Sequence, residues 1–477
     1  MSRNIHTGRK TRIIATLGPA TQSPGMIERL LQAGVDVFRL NMSHGSHREH
    51  AESIRQIRRL ASKMRIHAAI FCDLCGPKIR VGTLAGGAME LKARSVVVVT
   101  TRRVTGRDGV IPSQYGALHK DVKPGDRILL DDGKLELKVL SVKGRDIECR
   151  VIYGGVLTDR KGINLPDSRV SAPSLTDADR RDARFALEQA VDLLALSFVR
   201  SAEGILALKR YLRRHGGELP VIAKIEKPQA LEAIDGILQE AHGIMIARGD
   251  LGIEIDPARL PMVQKELIDR ARAACKPVIV ATQMMESMID SSRPTRAEVG
   301  DVSNAAMLGA DAVMLSGETS VGRYPLQAVR YMNAILREAE QWRQRSPRCG
   351  DDLDMRVAES PRRALANAAM GIARDLRLLA LLVPTRSGTT AMVVSAFRPS
   401  APVIGVCPDA RTARVLTLNW GVIPMQLKPA EIADWQRMSR IVARRLGLSL
   451  NDRSLAVLSG FGKSGQKDQP VLKILRF

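Results

Sequence analysis

Eight short apolar segments, each followed by a longer amphipathic one, constrain the fold of this 477-residue chain more than any other feature. The apolar segments lack polar alternation, which is typical of parallel strands buried on both faces. Because eight β-then-α units close a TIM barrel, we expect a (β/α)8 barrel; a doubly wound open sheet is the alternative. The predicted strands are Ile13–Leu17, Val35–Leu40, Ile66–Asp73, Leu193–Phe198, Val221–Glu226, Gly243–Ala247, Pro277–Thr282 and Ala312–Ser316.

Two interruptions of this alternation divide the chain into three domains. Residues 81–170 carry short Val-rich strands with tight turns, such as Asp131-Asp132-Gly133-Lys134, and predict a small β-barrel lid domain inserted after the third strand. An insertion at that point lies on the catalytic face of a barrel. A polar, Arg-rich linker at 341–354 then leads to an open α/β domain at 355–477. The catalytic barrel is therefore assigned to residues 1–80 and 171–340.

The charge of the chain suggests an anionic partner. There are 73 Lys and Arg against 50 Asp and Glu, a net charge of +23. Aromatic residues make up only 3%, too few for the base-stacking surfaces of single-strand nucleic-acid binders, so we expect no specific nucleic-acid partner. No apolar run approaches the length of a membrane span, and the N-terminal segment is polar. We expect a soluble, cytoplasmic protein without a membrane partner.

Two residue patterns invite a metal or redox interpretation. Cys72 and Cys75 have CxxC spacing, but Gly76-Pro77 follows instead of a helix, and the other four cysteines are scattered. His44, His47 and His50 are closely spaced, but Ser46 and Glu49 form a capping-box pattern that opens a helix there. An incidental cysteine pair and ordinary helix-start histidines are the favoured interpretations.

Charged side chains follow the predicted strands at their carboxyl ends, where barrel enzymes place their chemistry. Lys224 and Glu226 lie on the same face of one strand, and Asp250 follows the next. The two carboxylates are suited to Mg²⁺ or Mn²⁺, and Lys224 with Arg39 supplies positive charge for a phosphoryl group or an enolate. Gly249 exposes backbone N–H groups that suit a carboxylate. A structural ion-pair network is the alternative.

These motifs, taken in order, resemble the pyruvate kinase family. The resemblance runs from about residue 12 through the C-terminal domain, and no single string would suffice. It implies a barrel, a β-lid and a C-terminal regulatory domain in a homotetramer, and transfer of the phosphoryl group of phosphoenolpyruvate to ADP in the last step of glycolysis. The strings that carry it are Thr16–Ala20, Arg39–Gly45, Asp73–Arg80, Lys161–Pro166, Ala223–Glu226, Ala247–Glu254, Ala281–Met288, Arg293–Glu298 and Met314–Thr319.

The resemblance also implies a role for each matching site residue. Glu226 and Asp250 correspond to the Mg²⁺ ligands, and Lys224 to the cation that bridges the transferring phosphoryl group. Gly249, Asp250 and Thr282 correspond to the phosphoenolpyruvate site, with Thr282 near the carbon that is protonated. The implied nucleotide and phosphate contacts are Arg39, Asn41, Ser43, His44, Arg80 and Lys161.

One departure from the family pattern concerns the monovalent cation. The family's K⁺ site resembles Asn41, Ser43, Asp73 and the carbonyl of Leu74, and K⁺-dependent members carry a Glu where this chain has Lys78. An ammonium at that position supplies the positive charge that K⁺ would otherwise bring. We therefore expect an enzyme that does not require K⁺.

A loop in the C-terminal domain has the character of a phosphate site. The residues follow a predicted strand and open a helix, an arrangement that offers hydroxyls and backbone N–H groups to an anion. In the family this is where phosphorylated effectors bind, so we expect allosteric activation by a phosphorylated metabolite; a plain turn is the alternative. The loop consists of Thr385, Arg386, Ser387, Gly388, Thr389 and Thr390.

The sequence leaves three other functions open. A Mg²⁺-dependent lyase or aldolase acting on pyruvate or phosphoenolpyruvate would not need the inserted lid or Lys161. A basic nucleic-acid-binding protein would bind with a steep salt dependence. An inactive regulatory paralogue is disfavoured, because all of the matching catalytic residues are present.

Overall fold

The first three predicted strands open a parallel barrel in the computed structural model, which describes residues 8–345, 360–459 and 470–477. The helices between them begin at strong caps: Ser23 precedes Pro24, and Ser46 forms its capping box with Glu49. The elements are β1 (Arg12–Thr16), α1 (Pro24–Ala33), β2 (Val37–Asn41), α2 (His47–Lys63) and β3 (Ala69–Asp73).

The lid follows β3 directly and has its own apolar core. One six-stranded sheet and one two-stranded ladder enclose it, with Val99, Ile111 and Leu137 fully buried. The elements are β4 (Ala88–Leu91), β5 (Val96–Thr100), β6 (Val110–Pro112), α3 (Leu118–Asp121), β7 (Arg127–Leu130), β8 (Leu135–Lys143), β9 (Asp146–Tyr153), β10 (Gly155–Thr158) and β11 (Ile163–Asn164).

The chain returns from the lid to complete the barrel. All eight predicted strands are confirmed. Around the closed barrel, β1, β2 and β3 are followed by the five strands that come after the lid, and the last of these pairs with β1. The remaining elements are α4 (Asp177–Glu188), β12 (Leu193–Leu196), α5 (Ala202–Arg214), β13 (Val221–Ile225), α6 (Pro228–Glu232), α7 (Ile234–Glu240), β14 (Gly243–Ala247), α8 (Arg248–Glu254), α9 (Leu260–Ala273), β15 (Val278–Ala281), α10 (Arg296–Leu308), β16 (Ala312–Leu315), α11 (Gly317–Ser320) and α12 (Pro325–Arg345).

The C-terminal region is an open α/β domain, as predicted. Its five-stranded sheet is parallel except at one edge, where the last strand pairs antiparallel. The elements are α13 (Pro361–Asp375), β17 (Leu381–Pro384), α14 (Thr389–Ala396), β18 (Val403–Cys407), α15 (Ala410–Leu416), β19 (Val422–Gln426), α16 (Pro429–Ala433), α17 (Trp435–Leu446), β20 (Ser454–Ser459) and β21 (Val471–Arg476).

Two details differ from the sequence prediction. Strand β21 was not predicted, because it is an edge strand with mostly exposed side chains and a weak apolar pattern. The linker predicted at 341–354 begins too early, since α12 continues to Arg345; residues 346–359 lie outside the described ranges.

The C-terminal domain closes the bottom of the barrel. Val415 at the end of α15 and Leu418 just after it pack into the same buried cluster as Phe71 and Met245 of the barrel interior. Leu418 is 1% exposed. The amino-terminal end of the barrel is therefore sealed by the next domain.

Two aspartates at the amino ends of barrel strands, Asp192 and Asp311, hold this contact together. Asp192 accepts the backbone N–H of Ile70 and pairs with Arg58 and with Arg414 of α15, at 2.7 Å each. Asp311 pairs in the same way with Arg398 of the C-terminal domain, at 3.0 Å. The buried carboxylates are thus satisfied by backbone and guanidinium donors together.

None of the helices in the described ranges is both long enough and apolar enough to cross a membrane.

Candidate active site

Lys224 is the centre of a buried ion cluster at the carboxyl end of the barrel. Its ammonium lies 2.8 Å from Glu226 Oε1 and 3.4 Å from Asp73 Oδ1, and it donates to Ser197 Oγ at 2.7 Å. The Lys224 side chain is 12% exposed, and the two carboxylates are 1% exposed. The predicted convergence of charged residues from separate strands is present.

The charges in this cluster shift one another's pKa values. Burial raises the pKa of Asp73, but Lys224 and Arg39 lower it by more, and the net pKa falls below its ordinary value. Burial lowers the pKa of Lys224, whereas Asp73 and Glu226 raise it by more, so the lysine stays protonated. Lys224 therefore keeps a fixed positive charge at the mouth of the barrel, held between two carboxylates.

Arg39 supplies a second cation beside the first. Its guanidinium contacts Asp73 Oδ2 through Nη2 at 2.6 Å and Nε at 2.8 Å, and donates to Thr16 Oγ1 at 3.2 Å. The side chain is 11% exposed. Asp73 thus orients both Arg39 and Lys224 and brings two cations together.

Glu226 and Asp250 form an acidic pair. Burial and the negative charge of Asp250 raise the pKa of Glu226, against the opposing effect of Lys224. Glu226 Oε2 accepts the N–H of Phe198 at 2.7 Å, which fixes the carboxylate. Asp250 lies in the first turn of α8, immediately after β14.

Thr282 follows β15 in a strained conformation. Its φ is +68°, and that of Gln283 is +52°. Residues other than glycine rarely adopt this backbone conformation. The N–H of Gly249 donates to Thr282 Oγ1 at 2.7 Å. The N–H that we expected to bind a carboxylate therefore already has a hydrogen-bond partner in this structure.

Arg248 holds this strained segment, and the sequence did not identify it as a site residue. Its Nη2 donates to the carbonyls of Thr282 and Gln283 at 2.8 and 3.1 Å, and its Nη1 contacts Asp301 at 2.6 Å. The side chain is buried. The only sequence signal for Arg248 was its position between the end of a predicted strand and Gly249.

The lid side of the site carries three more cations. Lys161 pairs with Asp131 of the lid hairpin at 2.8 Å, and Arg80 donates to the carbonyl of Arg160 at 3.1 Å. Lys78 is exposed, with its Cε beside Gly162. These residues lie where the two chain crossings join the lid to the barrel.

Comparison with known proteins identifies the family. The family model described as "Pyruvate kinase, barrel domain" matches residues 8–329, and "Pyruvate kinase, alpha/beta domain" matches residues 363–475. The chain is 43% identical to the pyruvate kinase of Corynebacterium glutamicum over 92% of its own length and 90% of that protein. The chain belongs to the pyruvate kinase family.

Two further relatives agree. A pyruvate kinase of Agrobacterium vitis is 41% identical, with 96% of each chain covered. A crystal structure of a pyruvate kinase from Cryptosporidium parvum superposes with a TM-score of 0.90 at 34% identity, covering 100% of this chain and 98% of that one. The expected phosphotransferase activity and the three-part architecture are thereby confirmed.

Three of the residues expected at the pyruvate kinase monovalent site, Asn41, Asp73 and Leu74, already contact other groups of the protein. Asn41 and Asp73 are register partners on β2 and β3. Asn41 Oδ1 accepts the N–H of Ser43 at 3.3 Å, and the Leu74 carbonyl accepts from Ser197 Oγ at 2.7 Å.

The histidines near this pyruvate kinase site do not converge. His47 stacks on Phe185 at 4.3 Å and pairs with Asp182 at 2.7 Å. His50 Nε2 contacts the carbonyl of His44 at 2.8 Å, and His44, an expected nucleotide contact, is exposed.

The cysteines in the described ranges are free thiols. Cys72 is fully buried on β3, and burial raises the pKa of its thiol. A thiol in that state is a poor nucleophile, which favours the incidental interpretation of the Cys72–Cys75 pair.

The expected pyruvate kinase effector loop joins β17 to α14. Gly388, with φ +84°, precedes the helix, and its N–H donates to Thr385 Oγ1 at 3.0 Å. Ser387 Oγ and Thr389 Oγ1 lie 2.9 Å apart and are exposed. The predicted turn between a strand and the start of a helix is confirmed.

The variant Asp73→Asn tests the ion cluster. Because Arg39 and Lys224 lose their shared counter-charge, we expect the free energy of unfolding at neutral pH to fall by about 3–5 kcal/mol, measured by urea denaturation. The pKa of Asp73 is lowered in the fold, so its stabilising effect is present at neutral pH and is lost as the pH falls through that lowered value. The difference between wild type and variant therefore narrows in acid.

The matched control is Asp375→Asn, which removes an exposed pair with Arg374. We expect a change of less than about 1 kcal/mol. Equal effects of the two substitutions would contradict the assignment of Asp73 to the centre of the cluster.

Proposed function

We propose that the cluster around Lys224 is where a phosphoryl group passes from phosphoenolpyruvate to ADP. The observation that carries the proposal is the fixed ammonium of Lys224, held by Asp73 and Glu226 beside the Arg39 guanidinium. Phosphoryl transfer concentrates negative charge on the moving group, and fixed cations stabilise that charge without reorganising.

Mg²⁺ fits the acidic pair. Burial and the negative charge of Asp250 raise the pKa of Glu226, and a divalent cation held by these two carboxylates would offset both effects. Two carboxylates are fewer ligands than Mg²⁺ takes, which suits an ion that keeps waters and accepts substrate oxygens. Mg²⁺ or Mn²⁺ bound there supplies charge neutralisation and orients the phosphoryl group.

The protein residues then have separable tasks. Lys224 and Arg39 hold the phosphoryl group while its bond to the enol oxygen breaks and a bond to the terminal phosphate oxygen of ADP forms. The enolate left behind gains a proton at its methylene carbon, and the proposal assigns delivery of that proton to the path through the Thr282 hydroxyl. Arg248 fixes Thr282 through its carbonyl. Gly249 and Asp250 bind the substrate, whose carboxylate replaces the Thr282 hydroxyl at the Gly249 N–H.

The lid completes the nucleotide site. Lys161, Arg80, Asn41, Ser43 and His44 are proposed as contacts to ADP and its phosphates. Lys161 is exposed beside Asp131, which raises the pKa of the lysine and keeps it cationic. A polyphosphate that enters beneath the lid competes with Asp131 for Lys161.

The variant Glu226→Gln tests this assignment. The substitution keeps the shape of the side chain but removes its charge. We therefore expect kcat to fall about 10²–10³-fold and the Mg²⁺ concentration that gives the half-maximal rate to rise. The measurement is pyruvate release from phosphoenolpyruvate, coupled to lactate dehydrogenase, across a Mg²⁺ titration. In the wild type, pyruvate appears only when ADP is present.

The matched control is Glu232→Gln, at an exposed position on α6, for which we expect wild-type rates. Pyruvate release by the wild type without ADP would point to a lyase instead. A Glu226→Gln enzyme with unchanged kcat would remove Glu226 from the site.

We further propose that the enzyme does not require K⁺. Two of the four oxygens expected at the monovalent site, Asn41 Oδ1 and the Leu74 carbonyl, already accept protein hydrogen bonds. Lys78 brings an ammonium to the same mouth of the barrel, exposed and next to Gly162.

The variant Lys78→Glu tests this proposal. We expect the wild type to be fully active in a buffer whose only monovalent cation is tetramethylammonium. The variant loses activity there and regains it when K⁺ is added, because the carboxylate then has a cation to bind. Lys92→Glu, at an exposed lid position, is the control and stays K⁺-independent. Strong activation of the wild type by K⁺ would overturn the proposal.

We also propose allosteric activation through the loop 385–390. Ser387 lines a cavity of about 520 Å³ between the C-terminal domain and the barrel, together with Lys276 and Arg411. Burial and the nearby charge of Lys209 lower the pKa of Lys276, so an anion in the cavity would stabilise its charged form. A phosphorylated metabolite, such as a sugar phosphate or a nucleoside monophosphate, fits this chemistry.

The double variant Ser387→Ala, Thr389→Ala tests the effector site. We expect sugar phosphates or nucleoside monophosphates to lower the apparent KM for phosphoenolpyruvate in the wild type, and the double variant to lose most of that response. The control Ser449→Ala changes an exposed hydroxyl in the same domain and keeps the response. An unchanged response in the double variant would place the effector elsewhere.

Assembly as a homotetramer and a cytoplasmic location belong to the same proposal, and both rest on family membership.

A further inference from the structure

Glu254 lies at the end of α8 and joins three segments of the active site. Its side chain is 1% exposed. Oε1 accepts from Asn164 Nδ2 at 2.8 Å and also from Lys227 Nζ. Nothing in the proposed reaction uses this carboxylate, although a buried charge is costly to maintain.

Each segment that Glu254 joins carries a proposed site residue. Lys227 directly follows Glu226, a proposed metal ligand. Helix α8, which Glu254 ends, contains Gly249 and Asp250 in its first turn. Asn164 belongs to β11, three residues after Lys161. One carboxylate therefore connects the metal site, the substrate helix and the lid.

A second contact brings the lid onto the same helix. A Cβ built on Gly133, in the lid hairpin that also contains Asp131, would lie 3.6 Å from Ile253 Cγ2 on α8. Ile253 precedes Glu254, so the hairpin and β11 both reach the carboxyl end of α8. The Asn164 bond is thus part of a built contact between lid and barrel.

Glu254 is also incompletely satisfied. Its Oε2 is buried and has no hydrogen-bond partner among the described residues, so the carboxylate depends on the Asn164 amide and the Lys227 ammonium. Removing a donor from a buried charged acceptor costs more than removing an ordinary hydrogen bond. The Asn164 bond is therefore strong for a single contact between domains.

We propose that Asn164 and Glu254 are positioning residues that hold the lid above α8 and so set the distance between Lys161 and the substrate helix. They touch neither substrate. Because the lid supplies nucleotide contacts while phosphoenolpyruvate binds within the barrel, their loss weakens ADP binding selectively. This inference rests on the proposed assignment of Lys161 to the nucleotide site.

The test is Asn164→Ala in the full-length enzyme. Isothermal titration calorimetry measures Mg-ADP and phosphoenolpyruvate binding separately, and the coupled assay gives kcat and both KM values. We expect the affinity for ADP to fall about tenfold to a hundredfold, with phosphoenolpyruvate affinity changed less than twofold. A purely structural role would lower the melting temperature without separating the two ligands.

Two further variants keep the test decisive. Asn164→Ser retains a hydroxyl donor and recovers part of the ADP affinity; it also serves if the alanine variant fails to fold. Asn304→Ala, at an exposed position on α10, is the control and binds both ligands like the wild type.

The outcomes separate this inference from the proposed function. ADP affinity that is unchanged in Asn164→Ala, or that falls together with phosphoenolpyruvate affinity, overturns the positioning role. A wild type that binds neither ligand overturns the proposed function itself.

Discussion

The ion pair between Lys224 and the buried carboxylates is the interaction on which the rest of the site depends. A lysine at the end of a barrel strand is tolerated only because Asp73 and Glu226 come from neighbouring positions of the same closed sheet. Asp73 in turn orients Arg39, and Glu226 is fixed by the backbone of Phe198. The Lys224–Asp73 contact joins β13 to β3, which lie on either side of β12, so this part of the barrel wall has to assemble before Asp73 can compensate the lysine.

Most of the architecture was predictable, because the signals are local. The eight barrel strands are continuous apolar runs such as Gly243–Ala247, and the helices that follow carry caps such as Ser46 with Glu49. Strand β21 escaped prediction because an exposed edge strand leaves little apolar pattern. The predicted linker started too early because the polar, Arg-rich end of α12 resembles a linker when its packing is unknown.

The charged residues of the candidate site were predictable from the sequence, but the residues that position them were not. Lys224, Glu226 and Asp250 stand next to apolar strands, so their meeting follows from barrel topology. Arg248 and Glu254 act through partners far along the chain, Thr282 and Asn164, and sequence spacing carries no signal for such pairs. The engagement of the Gly249 N–H by Thr282 was likewise invisible, because it depends on the strained φ of Thr282.

The seal formed by Val415 and Leu418 has a consequence for how the protein is made. A nascent chain completes the barrel wall at β16, about a hundred residues before the residues that close its floor are synthesised. During that interval the apolar interior around Phe71 and Met245 faces solvent at one end. Synthesis therefore passes through a stage with an open apolar floor, at which truncated chains and paused ribosomes expose a surface that chaperones bind or that aggregates.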